Sequence, residues 1–236
     1  MLWLQGWDQA PAVARAAHSS WTRRNPGWKI QALDRMSISH FLSSEILERI
    51  LATPKPPETL SDLIRMELLH RYGGVWADAT TICARPLDDW LAQSMPHGFF
   101  AFSRPGPDRM ISNWFLAAEK GSLIIERWRS ASWAYWQGRQ ERDNYYWMHG
   151  LFAAVYAQDA GMRALWDATP PISAQNPFHF GPESDTLKQP PRPGIAADLA
   201  DPPVPVFKLT HKFANPPGPG SLFALLCDFA KGDTPL

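Results

Sequence analysis

An α/β layered domain with a largely parallel central sheet is the fold class the sequence predicts. Strand-like and helix-like segments alternate through the first half, Pro and Gly breaks separate them, and 45% hydrophobic residues in a 236-residue chain suffice for one substantial core. No internal repeat or interdomain linker interrupts the pattern, so residues 1–236 read as a single domain.

Leu2-Trp-Leu reads as a short first strand, and the stretch after Asp8, with Pro11 in the first turn, as an Ala-rich helix that Asn25-Pro26-Gly27 stops. Trp28 to Leu33 reads as a second strand and Ile38 to about Leu51 as a helix. After Pro54-Lys-Pro-Pro57, a helix carries Leu60, Ile64 and Leu68 at spacings of four and stops at Gly73-Gly74. Val75 to Ile82 is rich in β-branched residues, and Gly98 to Phe102 and Met110 to Leu116 are further strand candidates. Leu123 to Trp136 and Tyr145 to Tyr156 look helical, Pro203 to Leu209 forms a late strand, and Ser221 to Phe229 a closing helix. Prolines crowd the segment from Gln189 to Pro219, which therefore reads as an extended C-terminal wrap.

Composition narrows the function classes. Lys plus Arg equals Asp plus Glu at 23 each, so no basic excess drives phosphate-backbone binding, and nucleic acid is not an expected partner. Cys83 and Cys227 lie far apart with no zinc-type spacing, which fits a reducing cytoplasmic compartment. Neither a signal-type start nor a run of about 18 apolar residues is present, leaving only peripheral attachment to a membrane open. Twelve tryptophans suit stacking on sugar C–H faces, and serve equally as core filler.

Chemistry concentrates between Ser61 and Thr80. Asp62 and Arg65, three apart on one helix, share a face and read either as a ligand-facing pair or as an ordinary surface ion pair. Asp78 follows a strand, where open α/β sheets place ligands, and reads either as a cleft carboxylate or as a turn residue. The ordered block Ser61-Asp-Leu-Ile-Arg65, Leu68-Leu69, Tyr72-Gly-Gly-Val-Trp-Ala-Asp78-Ala-Thr80 resembles the donor-site signature of the capsular polysaccharide synthesis glycosyltransferases. That group is similar to glycosyltransferase family 32 and, more distantly, to glucosylating toxin domains. Islands at Trp3 to Trp7 with Pro11, Ser20-Trp21 with Asn25 to Trp28, and Lys208-Leu-Thr-His-Lys212 carry the resemblance along most of the chain.

The resemblance implies a GT-A type fold, a nucleotide-sugar donor, retention of anomeric configuration, and a divalent Mn²⁺ or Mg²⁺ bridging the diphosphate. It assigns Asp62 and Arg65 to the donor sugar and its phosphate. It places Asp78, Thr80 and His211 at the metal, although Thr80 stands where related families carry a second Asp. Gly74 belongs to the same donor block. Gln5, Gly6 and Trp7 fall where related enzymes seat the nucleotide, with Trp7 either stacking on a base or packing in the core. Asp34 is a candidate for base or ribose contact, or a turn residue.

Cleaving a glycosyl-phosphate bond builds negative charge on the departing diphosphate, which Arg65, His211 and Lys212 could meet; the bland alternative for the last two is a solvated strand end. Asn113, Asn144 and His149 resemble acceptor-side positions, with Asn144 where an Asp is usual. The leading expectation is therefore hexose transfer to a surface polysaccharide or lipid-linked glycan. A decayed, non-catalytic sugar-binding protein is the alternative, and a scaffold using Pro190 and Pro193 as a Pro-x-x-Pro ligand is a third.

Overall fold

The computed structural model describes residues 1–52, 55–181 and 184–233. In chain order, these include helices α1 (Ala12–Arg24), α2 (Ser44–Leu51) and α3 (Pro57–Tyr72), then strands β1 (Gly74–Ala77) and β2 (Thr81–Cys83) and the short α4 (Leu91–Ser94). Strands β3 (Phe99–Gly106) and β4 (Arg109–Ala118) follow, then α5 (Leu123–Trp136), α6 (Trp147–Gln158), α7 (Ala160–Asp167), α8 (Ile195–Ala200), β5 (Val206–Lys208) and α9 (Leu222–Lys231). The chain divides into two compact units, one of Met1–Leu33, Asp78–Leu91 and Asn176–Leu236, the other of Asp34–Ala77 and Ala92–Gln175.

In the first unit, α1 begins after Pro11, whose fixed φ and missing N–H cost nothing at a helix start, and ends at Asn25. Its small buried face, Val13, Ala14, Ala16 and Ala17, lets α1 lie close against β2 and α9. Two polar ties fix that contact: the Trp21 indole N–H donates to the Thr81 carbonyl (2.8 Å), and the Cys83 amide donates to Ser20 Oγ (2.9 Å). β2 pairs antiparallel with β5, Thr81 opposite Lys208. Behind this ladder Phe178 stacks on Phe207 (4.2 Å), which leans on Phe229. Cys83 and Cys227 are separate buried thiols, each pushed up to about 11 by burial.

In the second unit, α3 opens with Pro57 and closes at Gly73, whose φ of 70° only glycine adopts without strain. An added Cβ on Gly73 would meet the Lys120 amide nitrogen at 2.6 Å and the Ala118 carbonyl oxygen at 2.9 Å, whereas one on Gly74 meets open space. Gly73→Ala is therefore expected to lower the melting temperature well beyond Gly74→Ala, because it adds a backbone clash to a φ penalty of roughly 1–3 kcal/mol that both share. Equal melting temperatures in the two variants would contradict this. β1, β4 and β3 form a three-stranded sheet in that order, with α5, α6 and α7 packed together beside it. Phe99 and Phe152 close on Trp166, and Phe152 meets Trp128 edge-on.

The fold is mixed α/β, but the largely parallel sheet expected from sequence is corrected. Among the described residues every ladder is antiparallel, and parallel pairing is confined to isolated bridges such as Leu2 with Leu33. Gly106 pairs with Arg109 across Pro107-Asp108, and a two-residue connection permits only antiparallel strands. The expected strands at Leu2-Trp-Leu and Trp28 to Leu33 reduce to that single bridge. The expected strand Val75 to Ile82 breaks at Asp78-Ala79-Thr80 into β1 and β2, and the helix expected from Ile38 is a 3₁₀ turn (Ser37–His40) followed by α2. Pro54, part of the expected break before α3, lies outside the described residues. The Pro-rich wrap contains α8, entered through Gly194 in a left-handed conformation. No helix among the described residues is long and apolar enough to cross a membrane.

Candidate active site

The sequence-selected residues fall into two groups, one in each unit. In the first unit, Asp78 is the residue after β1 and opens the turn into β2: its carbonyl accepts from the Thr81 amide (2.9 Å) and from Thr81 Oγ1 (2.7 Å). The turn is thus closed through the Asp78 carbonyl, which receives both the amide and the hydroxyl of Thr81. The Asp78 carboxylate lies near enough to His211 to favour that imidazole's charged form. β5 delivers the late island to the same place. The Leu209 amide donates to the Thr80 carbonyl (2.9 Å), and Lys208 Nζ donates to Thr80 Oγ1 (2.7 Å) and to its neighbour's carbonyl at Leu209 (2.9 Å). His211 packs edge-on to Trp3 at 5.1 Å. Burial against its neighbours, followed by the charges of Lys208 and Lys212, holds its pKa below the ordinary histidine value. The Lys212 amide donates to Thr210 Oγ1, shaping the turn that carries it.

Trp7 takes neither expected role cleanly. Its indole N–H donates to the Leu33 carbonyl (2.8 Å), and its ring packs on the cluster of Ala10, Ala14 and Ala79 and lies 5.3 Å from His18. Gly6, at φ 95° with open space beside it, turns the chain after exposed Gln5.

In the second unit, Asp62 and Arg65 project from one face of α3, as their spacing predicts. They are only 7% and 4% exposed, which removes the surface ion-pair reading. Arg65 Nη1 lies 3.1 Å from Asp62 Oδ1 and donates to the Asn113 carbonyl (2.6 Å), while Asn113 Nδ2 donates to Asp62 Oδ1 (3.1 Å). The guanidinium also stands 5.0 Å over the Trp76 ring. Asn113 reaches this network from β4, and its amide meets Met148 Sδ at 3.7 Å on α6. His149, the next residue on α6, is buried with no hydrogen-bond partner at Nδ1. Burial first, then the positive charges of Arg109 and Arg65, push its pKa down to about 4.

A histidine held neutral in the folded state binds fewer protons than the unfolded chain between about 4 and the ordinary value of 6.5. Stability is therefore expected to fall as pH drops through that window, by at most about 1.4 kcal/mol per pH unit. His149→Gln should flatten the melting-temperature profile from pH 6.5 to 4; an unchanged slope would assign the loss to other groups.

Asp34 and Asn144 take the roles of turn residues. Asp34 Oδ1 accepts from the Met36 amide, the Ser37 amide and Ser37 Oγ, and these hydrogen bonds, led by the Ser37 amide, lower its pKa. Exposed Asn144 caps its own turn by accepting from the Tyr146 amide (2.7 Å). Gly74 opens β1 opposite Ala118 at φ 88°. A cleft of about 930 Å³ lies in this unit, lined by Arg104, Arg109, Tyr156, Trp166, Asp167 and Gln175 among others. Arg109 stands 3.9 Å over Tyr146, which packs edge-on to His149.

Sequence reasoning passed over Lys208, Trp76 and Arg109 as site residues. Lys208 stands inside the Lys208-Leu-Thr-His-Lys212 island, so a signal was present. Thr80's hydroxyl already accepts from an ammonium, and no group of three His, Cys, Asp or Glu side chains able to hold a metal ion exists among the described residues.

Comparison with known proteins agrees with the signature block. The family described as capsular polysaccharide synthesis protein matches residues 1–216. Glycosyltransferase afumC of Aspergillus fumigatus (strain CBS 144.89 / FGSC A1163 / CEA10) is 33% identical over 154 residues, 58% of this chain and 39% of that protein. O-glycosyltransferase braB of Annulohypoxylon truncatum is 30% identical over 155 residues, 58% of this chain and 37% of that one. The matched part of the chain therefore spans about two fifths of these relatives' length. Among solved structures, PaToxG Glycosyltransferase superposes with a TM-score of 0.50 and 14% identity over 71% of each chain, a likeness of fold. On the match to residues 1–216, the chain belongs to the capsular polysaccharide synthesis protein family.

Proposed function

We propose that this chain is a glycosyltransferase of GT-A type that moves a hexose-type sugar from a nucleotide-sugar donor to a surface-polysaccharide or lipid-linked glycan acceptor, with retention at the anomeric carbon. The observation that carries this reading is the convergence of Asp78 and Thr80 with Lys208 and His211, residues about 130 positions apart in sequence, at one end of the β2–β5 ladder. Scission of the donor's glycosyl-phosphate bond leaves negative charge on the diphosphate. Lys208, Lys212 and a protonatable His211 are cationic groups suited to meet it, while the Asp78 carboxylate suits the sugar, which becomes positive. Preorganised charge of this kind is a large term in rate enhancement.

Asp62 and Arg65 are assigned to donor-sugar hydroxyls and phosphate through the family resemblance. The acceptor is assigned to the cleft lined by Tyr156, Trp166, Asp167 and Gln175, whose mix of aromatic faces and planar hydrogen-bonding groups suits a sugar. Asn113 and His149 are assigned to the acceptor side. Two unpaired buried thiols suit a cytoplasmic setting, at or near the membrane where lipid-linked glycans are built.

The test is nucleotide release from a panel of UDP-, GDP- and ADP-sugars, with and without Mn²⁺, alongside thermal shift. One donor that both stabilises the protein and is turned over supports the reading. Stabilisation without release or transfer to any glycan would favour a non-catalytic sugar-nucleotide-binding protein, and neither effect with any donor would remove both.

A further inference from the structure

The cleft of about 930 Å³ in the second unit has the size of a small-molecule site, and one of its walls carries backbone strain. Strand β3 departs from the regular β4 ladder at Ser103, where the register shifts on both sides. Ser103 bonds instead to the segment after α7: its amide donates to the Ile172 carbonyl (2.9 Å) and its carbonyl accepts from the Ala174 amide (2.6 Å). Arg104 follows at φ 52°, the only non-glycine residue at positive φ among the described residues. Pro105 after it favours extended backbone, so the conformation is disfavoured on two counts. No internal contact offsets the strain. Arg104 is exposed and lines the cleft, and its guanidinium makes no hydrogen bond, ion pair or ring contact among the described residues.

The other charges of the cleft have partners. Asp108 pairs with Arg109 (3.1 Å), whose guanidinium also covers the Tyr146 ring. Asp167 accepts from the Tyr156 hydroxyl (2.9 Å), a partner without charge. Arg163, which donates to the Tyr156 and Ala157 carbonyls, acts on Tyr156 in the opposite sense to Asp167 and so offsets part of that carboxylate's field. Arg104 is thus the cation of this cleft that no carboxylate pairs, with Asp167 as the one carboxylate of the lining that opposes an anion there.

We infer that the cleft selects an acceptor sugar bearing a negative group, a carboxylate or a phosphate, and that Arg104 is the residue that reads it. The inference rests on the glycosyltransferase reading, with this cleft as the acceptor's, and names the acceptor's chemistry. A guanidinium presents a planar fork of N–H donors that matches two oxygens of either group. The Asp167 carboxylate has lone pairs beyond the one that the Tyr156 hydroxyl occupies, and these suit sugar hydroxyls. Trp166 and Tyr156, both partly exposed, offer ring faces to the sugar's C–H groups. The bulge at Ser103 sets where Arg104 projects, a use of strained backbone that recurs at ligand contacts.

The test is calorimetric binding of three probes to the full chain without any donor: methyl glucuronide, glucose 6-phosphate and the neutral methyl glucoside. Wild type is expected to bind one of the anionic probes roughly tenfold or more tighter than methyl glucoside, the worth of a charge-assisted hydrogen bond. Preference for the first names a uronic acid as the acceptor, and preference for the second a sugar phosphate. Arg104→Gly should abolish the preference while melting at or above the wild-type temperature, because glycine adopts this φ without strain. Arg104→Lys should keep part of the preference, and Asp167→Asn should increase it by removing the carboxylate that opposes the anion. A preference that survives Arg104→Gly would overturn the inference, as would equal binding of all three probes by wild type. Absence of binding by every probe, in a protein that releases nucleotide from a donor, would overturn it and leave the glycosyltransferase reading in place. Absence of release from every donor would overturn that reading and the acceptor role with it.

Discussion

Asp78→Asn is expected to reduce sugar transfer by at least about 10²-fold, the scale on which a preorganised electrostatic partner of the transition state acts. The substitution keeps the side chain's size and removes its charge. It should leave the fold in place, because the turn from β1 to β2 is closed through the Asp78 carbonyl, which receives both the amide and the hydroxyl of Thr81. A second readout does not depend on turnover. The Asp78 carboxylate opposes the burial and the lysine charges that lower His211, so removing it should lower the His211 pKa further. Histidine NMR titration measures this directly. Unchanged transfer together with an unshifted His211 would take Asp78 out of the site.

Arg65→Ala is expected to cost stability first and donor use second. The guanidinium is 4% exposed, paired to Asp62 at 3.1 Å and bonded to the Asn113 carbonyl at 2.6 Å, so truncation takes a cation and a hydrogen-bond donor out of a buried ion pair. Breaking one partner of such a pair costs about 3–5 kcal/mol. In a chain of this size that lowers the melting temperature by roughly 10 °C. Arg65→Lys should recover little, since a compact ammonium cannot pair with Asp62, bond the Asn113 carbonyl and keep the guanidinium's place over Trp76 at once. A melting temperature within about 2 °C of wild type would return the pair to the surface class, where ion pairs are worth under about 1 kcal/mol.

What the sequence made legible and what it hid divide along local and non-local lines. The helix ending at Gly73 was readable because Pro57, the four-residue spacing and Gly-Gly are all local signals. The helix Leu123–Trp136 was placed to the residue on the same grounds. Strand direction was not readable: alternation from helix to strand suggested parallel crossovers, while the actual partner of β3 is the strand two residues downstream. Helix α7 was missed, although Asp159 caps it by accepting from the Met162 amide, a signal hidden by its nearness to α6.

The candidate site follows the same rule. Residues inside one contiguous block, Asp62, Arg65 and Asp78, were selected at once, yet block reading gave no sign that Asp62 and Arg65 are buried against Asn113. The Lys208–Thr80 pair spans 128 positions and depends on strand register, which no window of sequence contains. The backbone bonds of Asp34 and Asn144 were not legible because an acidic or amide residue at a turn looks the same in sequence whether it faces a ligand or its own backbone.

The central claim is that the donor's diphosphate sits against the turn from Asp78 to Cys83 and the strand end from Val206 to Lys212. Hydrogen–deuterium exchange with the donor selected by the release assay tests it most directly. Slowed exchange concentrated in residues 78–83 and 206–212, lost in Asp78→Asn, is the predicted result. Protection confined to the cleft segments 101–110 and 166–175, or no protection in either, would contradict it.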